Sequence, residues 1–384
     1  MSRDDSQKVR ICVGGDVVPV LGATPLFVEG NAGAVFGGLL DRFAAAHVTV
    51  VNLECPLIER PSPEEKAGRI LGAPTASVNA LSEAGLDAVG LANNHVMDHG
   101  AHGLENTLRA LGEAGIGAFG AGRNIADASR PLVFERSGIR IALMGVAEHE
   151  FCIAGERSPG ACPLDAARFV RAVEEHRSRF DLLVVLVHGG MDYYPYPSPR
   201  LADTCRFFVE RGASAVLCQH SHTPGCHEIY RDGLIVYGQG NLVFDTNAPR
   251  RNGADWHRGF LVEVELTRRG LSGFDLVPYV QFEGEAGVRE MDPSQGREFL
   301  AAVQGRSEEI TVDGRIAELW REHCETLVDG CLSDVHGDRG ALRWLNLASR
   351  WLRLKYRGRS RLRALNAIRR ETHREVLETI LRRR

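Results

Sequence analysis

Five apolar runs in this chain each stop at a side chain that can bind a metal ion or carry a proton. Residues 10–15 (RICVGG) end at Asp16. Residues 48–51 run into Asn52-Leu53-Glu54. Residues 87–103 (DAVGLANNHVMDHGAHG) begin as a short strand, break at Asn93-Asn94-His95 and turn through Asp98 into a helix. Residues 181–187 (DLLVVLV), the most hydrophobic run, end in His188. Residues 213–217 lead into Cys218-Gln219-His220-Ser221-His222. An unbroken apolar run of this length suits a strand buried on both faces. In open α/β sheets the carboxyl ends of such strands are where sites are built.

Helical spacing over residues 36–47, 75–85, 101–115, 165–180 and 199–212 alternates with these runs, which predicts an α/β sandwich. Asp165 is a candidate N-cap. Gly14 and Gly15 are expected to turn the chain so that Asp16 emerges at a strand tip. Further strands are expected at 131–136, 139–146, 260–266 and 274–282, with a hairpin at 227–230 and 234–237 around Asp232-Gly233. The later strands suggest a second, partly antiparallel sheet. Residues 59–69, polar with two prolines close by, read as a surface loop. The domain boundary is placed after residue 288, giving an α/β domain at 1–288 and a helical, basic extension at 289–384.

Composition narrows the class. With 384 residues, 44% hydrophobic and 25% charged, the chain reads as an ordinary globular protein with room for a domain and an appendage. Nine cysteines without a CxxC pair read as free thiols in a reducing compartment and speak against a thiolate zinc site. Cys12, Cys152 and Cys324 are expected to be buried. No run of about 20 apolar residues occurs, so the expected location is the cytoplasm, extending to the membrane surface through the tail. In residues 341–384, Trp344, Leu347, Trp351 and Leu354 share a helical face flanked by Arg343, Arg350, Arg353 and Lys355; Leu362, Leu365 and Ile368 continue it. Such a face can lie on an anionic membrane or dock on the domain or a sister subunit. No nucleic-acid motif accompanies the charge.

Carboxylates, an amide oxygen and imidazoles together suit divalent transition metals (Mn, Fe or Zn) better than Ca²⁺ or Mg²⁺. Two-metal hydrolases share a bridging ligand between their ions, and Glu54 is the candidate bridge. Asp16 and His222 would complete one ion; Asn94, His188 and His220 the other. On a regular strand His220 and His222 would point the same way, whereas in a loop they can splay toward different ions. His95 is the candidate proton donor. Asp98 either orients His95 or caps the following helix. Tyr193 and Tyr194 are candidates for lining the cleft or for packing.

The segments VGGD (13–16), VNLECPL (51–57), LANNHVMDHGAHGL (91–104), LVHGGMDYYPYP (186–197), GASAVLCQHSHTPG (212–225) and YGQGNLVFD (237–245) occur in a consistent order. Together they resemble the CapA family, known as poly-γ-glutamate capsule-synthesis proteins, a branch of the calcineurin-like metallophosphoesterases. The resemblance implies a four-layer α/β/β/α metallophosphoesterase-like sandwich with a dinuclear site, followed here by the C-terminal helical extension. By likeness, Asp16 matches the first motif, Glu54 the bridging acid, Asn94-His95 the Asn-His motif, His188 the lone histidine, and His220 with His222 the closing pair.

Three departures stand out. Metallophosphoesterases carry His two residues after the first Asp, and here that residue is Val18. The family's HWGxE reads His188-Gly189-Gly190-Met191-Asp192, and its GHHPH reads Cys218-Gln219-His220-Ser221-His222. The resulting expectation is a metal-dependent hydrolase acting on a phosphoester of a small molecule or polymer, linked to capsule-type polymer synthesis. A metal-dependent enzyme of amide or γ-glutamyl bonds, or a non-catalytic assembly factor, are the alternatives.

Overall fold

The computed structural model describes residues 7–66, 68–150, 152–244, 254–281, 287–335, 340–349, 351–357, 360–361 and 364. Two β-sheets pack face to face. In the first, strands Val9–Val17, Val48–Leu53, Ala88–Gly90 and Gly117–Phe119 run parallel, and Arg258–Thr267, Gly270–Gln281 and Val288–Glu290 extend the other edge in antiparallel fashion. In the second, Ile139–Ala147, Leu182–His188, Ala215–Gln219 and Gly233–Gln239 are parallel, and Leu132–Arg136 and Pro224–Tyr230 close the edges. The hairpin therefore sits on a mainly parallel sheet, and the strands expected at 260–266 and 274–282 belong to the first sheet instead.

The two-residue period of the strands sorts their side chains into layers. Val48 and Val50 face Leu182, Val184 and Leu186 in the core between the sheets. The alternate residues Val51 and Leu53 pack outward under the helices that carry Phe27, Phe36, Leu104 and Leu111. On the far side Leu183, Val185 and Val187 lie under Phe169 and Phe208 of helices Ala166–His176 and Pro199–Glu210. Those two rings stack at 4.0 Å. The order of layers is α/β/β/α. By the same alternation Asn52 and His188 fall on the inward faces of their strands, at the carboxyl end of each sheet.

Several local expectations are corrected. Residues 36–47 form no single helix. Helix Ala32–Phe36 ends at Gly37, whose φ is 50°, and Leu39–Ala45 starts afresh; a Cβ on Gly37 would lie 2.7 Å from the Val288 carbonyl oxygen. Gly14 and Gly15 make no turn, because the strand continues to Val17. They permit close approach instead: a Cβ on Gly15 would sit 2.0 Å from the Gly240 carbonyl oxygen. Of the cysteines, Cys12 and Cys152 are buried, but Cys324 is only half-buried. Asp165 caps its helix by accepting from the Arg168 amide at 2.7 Å.

The chain divides into two compact units, Met1–Ile316 and Ala317–Arg384. Residues 289–316 lie inside the first. Strand Val288–Glu290 is paired in its sheet, and helix Pro293–Glu309 buries Phe299 and Val303 at the inter-sheet core, while Arg306 donates to the carbonyls of Pro224 and Gly225. The boundary read from the sequence at 288/289 thus falls within this unit. In the second unit, helices Gly340–Ser349 and Trp351–Lys355 expose Trp344, Leu347, Trp351 and Leu354, and Arg353 pairs with Asp329 at 2.6 Å. Leu362, Leu365 and Ile368 lie outside the described residues. No helix among the described residues is long and apolar enough to cross a membrane.

Candidate metal centre

All six expected ligands lie at one edge of the sandwich. Strands of the first sheet bring Asp16, Glu54 and Asn94; strands of the second bring His188, His220 and His222. His188 Nε2 is the focus of one group, with Asn94 Oδ1 at 3.1 Å, His220 Nδ1 at 3.1 Å and Glu54 Oε1 at 3.3 Å. Ligand atoms about 2.1 Å from one ion stand roughly 3.0–3.4 Å apart, so these separations suit a shared cation. Asp16, Glu54 and His222 form a second group whose ligand atoms lie within 4.8 Å of one another. Glu54 belongs to both. His220 and His222 have positive φ values, 94° and 54°. That left-handed backbone costs energy for a non-glycine residue; His220 falls with Glu54 and His188, His222 with Asp16 and Glu54, and the two meet in a third group with Asp192.

The chemistry of this donor set fits divalent ions. Glu54 is 0% exposed and neither carboxylate oxygen accepts a hydrogen bond. A buried, unsatisfied carboxylate is expensive unless a cation compensates it. In the protein alone, burial followed by the neighbouring Asp16, Asp192 and Glu150 pushes Glu54 well above the usual carboxylate range. Burial likewise raises Asp16, against the opposing pull of His222 and Asn52. Burial and the neighbouring histidines hold His188 well below the ordinary imidazole value, and burial lowers His222. Neutral imidazole is the form that ligates metal.

Around these ligands stands a buried amide network that reading the sequence did not assign. Asn52 Nδ2 donates to Asp16 Oδ1 at 2.7 Å and lies 3.2 Å from His188 Nδ1. Asn93 donates to Asn52 Oδ1 at 3.2 Å and to the Leu53 carbonyl at 2.8 Å. Gln219 and Gln239 of the second sheet donate to the carbonyls of Gly14 and Val13 in the first, at 3.0 and 2.8 Å. Asp192 Oδ1 lies 3.4 Å from His220 Nε2, the ring nitrogen facing away from His188. The signal for Asn52 and Asn93 was present, since Asn93 adjoins Asn94 and Asn52 stands two residues before Glu54.

His95 Nδ1 is 2.6 Å from Asp98 Oδ2, a contact in which Nδ1–H donates to the carboxylate. Asp98 does not cap the helix Gly100–Glu113, whose N-cap is His99. It also accepts from Leu71 N at 2.6 Å and from Lys66 Nζ at 2.5 Å. Residues 59–69 form the surface loop expected, with the described residues exposed apart from Lys66. Its side chain is 5% exposed and donates to the Asn94 carbonyl at 3.0 Å, while Ser62 and Glu64 of the same loop bind His99 and the Asp98 backbone. Of the two tyrosines, Tyr194 is buried and Tyr193 is exposed, its ring 6.2 Å from His222 and 5.9 Å from Trp256. Val18 is fully buried among apolar neighbours and supplies no ligand.

The chain is thus an α/β/β/α sandwich that gathers acids, an Asn-His pair and three further histidines at one edge of its paired sheets. Residues 10–246 match the family described as bacterial capsule synthesis protein PGA_cap, and the chain belongs to that family. It is 31% identical over 242 residues to a capsule biosynthesis protein CapA of Bacillus anthracis, covering 61% of this chain and 58% of that protein. It is 27% identical over 252 residues to the PGA biosynthesis protein CapA of Bacillus subtilis (strain 168), 65% of each. The chain thus spans less than two thirds of the length of either relative. Among solved structures, a 5′-nucleotidase from Candida albicans SC5314 aligns with 85% of this chain and 59% of its own, at 10% identity and a TM-score of 0.41.

Proposed function

We propose that this protein is a metal-dependent hydrolase of the metallophosphoesterase type, acting on a phosphoester in the service of poly-γ-glutamate or another capsule-type polymer. The observation that carries the reading is Glu54, a fully buried carboxylate without hydrogen bonds, lying between two histidine-containing ligand groups. Asp16, Glu54 and His222 would hold one ion, and Glu54, Asn94, His188 and His220 the other. Bound divalent ions supply Lewis-acid polarisation of a phosphoryl oxygen and offset the charge of the acids.

The chain's own residues supply the rest. With Nδ1–H held on Asp98, the imidazolium form of His95 would carry a second proton on Nε2, and that proton would pass to the leaving oxygen, leaving the neutral ring. Lys66 neutralises Asp98 and tethers the Asn94 backbone, so the ligand and the proton donor move as one turn. Tyr193 and Trp256 form an aromatic wall beside His222.

The test is elemental analysis of protein purified without chelator, alongside assay on an aryl phosphodiester and an aryl phosphomonoester. Two equivalents of Mn, Fe or Zn with turnover lost on chelation is the expected result; full turnover in metal-free protein would refute it. A second reading is favoured by the names of the relatives, which concern capsule and PGA synthesis. In that reading the same centre polarises an amide carbonyl and acts on γ-glutamyl bonds. Release of amine without phosphate from a mixed substrate panel would select it.

A further inference from the structure

The ligand group around Asp16 is short of protein donors, because the position two residues beyond Asp16 is the apolar Val18. Asn241 stands beside that group. It lies on a three-residue strand, Asn241–Val243, that pairs in parallel with the end of Val9–Val17 so that Asp16 and Asn241 are direct partners. Gly15 and Gly240 allow this approach: a Cβ on either would lie within 2.4 Å of a backbone oxygen. The Asn241 side chain is 0% exposed. Its Nδ2 donates to the Trp256 carbonyl at 3.3 Å, and Gln281 Nε2 donates to the backbone oxygens of Asn241 and Trp256, both at 3.2 Å. The amide is therefore fixed with Oδ1 turned away from Trp256 and onto His222 Nδ1, 2.9 Å away.

That ring nitrogen is also the one 3.8 Å from Asp16 Oδ2. The 2.9 Å contact is a hydrogen bond when Nδ1 carries the ring proton; when Nδ1 offers its lone pair to an ion shared with Asp16, it is the spacing of two ligand atoms on one cation. We infer that Asn241 Oδ1 is a protein ligand of the ion held by Asp16, Glu54 and His222, filling the place that Val18 leaves open. The inference rests on the dinuclear reading above. It makes this ion's ligand set, one imidazole and three oxygens, harder than the His188 set, and so suited to Mn²⁺.

The test is calorimetric titration of the chelator-stripped full chain with Mn²⁺, with the Mn²⁺ electron paramagnetic resonance spectrum recorded at each equivalent. Wild type is expected to take two ions. Asn241→Ala should weaken one of them by about 10–100-fold, the scale of losing one supporting contact, and leave the other unchanged. Asn241→Asp, which keeps an oxygen in place, should restore both. Wild-type affinity for both ions in a folded Asn241→Ala protein would overturn the assignment, as would equal weakening of both with no rescue by Asn241→Asp. Fewer than two ions on wild type would instead overturn the dinuclear reading, and this inference with it.

Discussion

Lys66 Nζ lies 2.5 Å from Asp98 Oδ1, an ion pair whose side chains are 5% and 1% exposed. It joins a loop without regular structure to the turn that carries Asn94 and His95. Removing one partner of a buried pair leaves the other charge uncompensated, at a cost of about 3–5 kcal/mol. Lys66→Met should therefore destabilise the protein by several kcal/mol, and Lys66→Met combined with Asp98→Asn by less than the sum. Urea unfolding of the two single variants and the double variant measures this. Simple additivity would show that the pair is not coupled.

Replacement of His95 by Gln should lower kcat by about 10²–10⁴-fold, the usual contribution of a positioned acid, while metal content stays at the wild-type value. Joint loss of metal and activity would assign His95 to the ligand set instead of to proton transfer.

Glu54→Gln should act in opposite directions with and without metal. In chelator-treated protein it removes a buried carboxylate with no hydrogen bond, so the melting temperature should hold or rise. With metal present, wild type gains binding free energy, about 2.7 kcal/mol at a hundredfold excess over Kd, and the variant should lose most of it. Melting curves with and without chelator for both proteins decide the matter. A variant less stable than wild type in both conditions would argue for a purely structural role.

His227 sets a pH dependence remote from the centre. Its Nδ1 is 2.9 Å from Ser307 Oγ, and burial lowers it from the ordinary 6.5. A histidine lowered by folding takes up its proton more readily when unfolded, so the contribution is intact above about 6.5 and is lost as pH falls from there through the folded value. Stability should decline as buffer pH is taken from 7.5 to 5.5, and His227→Gln should flatten that decline. An unchanged slope in the variant would place the acid sensitivity elsewhere.

Gly15→Ala should cost about 1–3 kcal/mol, because the added methyl meets the Gly240 carbonyl oxygen at 2.0 Å. Since it pries Asn241–Val243 away from Asp16, metal affinity should fall along with stability. Equilibrium unfolding and metal titration of the same preparation test both.

What the sequence made legible was local. Each strand tip could be read because an apolar run stops at a polar side chain. That His220 and His222 could splay was also readable, since two histidines with one residue between them point the same way on a regular strand and part only off it. Lys66 was not readable: its partner is 32 residues away and its loop has no period to betray a buried face. Asn241 stood within a recognised motif, yet its place beside Asp16 depends on a parallel pairing across more than two hundred residues. For the same reason the strands Arg258–Thr267 and Gly270–Gln281 could be seen as strands but not assigned to the first sheet. Asp98 left two readings open in the sequence, and only the geometry showed that it serves His95 and Lys66 and not the helix.

The amides of Gln219 and Gln239, reaching across to the backbone of Gly14 and Val13, set the spacing of the sandwich at its working edge. The ligand atoms are shared between the two sheets, so the centre is a gauge of the gap between them. Sliding or parting of the sheets by even an ångström would pull every cross-sheet ligand distance out of range at once. Bound ions would conversely act as rivets, and the loaded protein should unfold in one step where the stripped protein is free to loosen one sheet before the other.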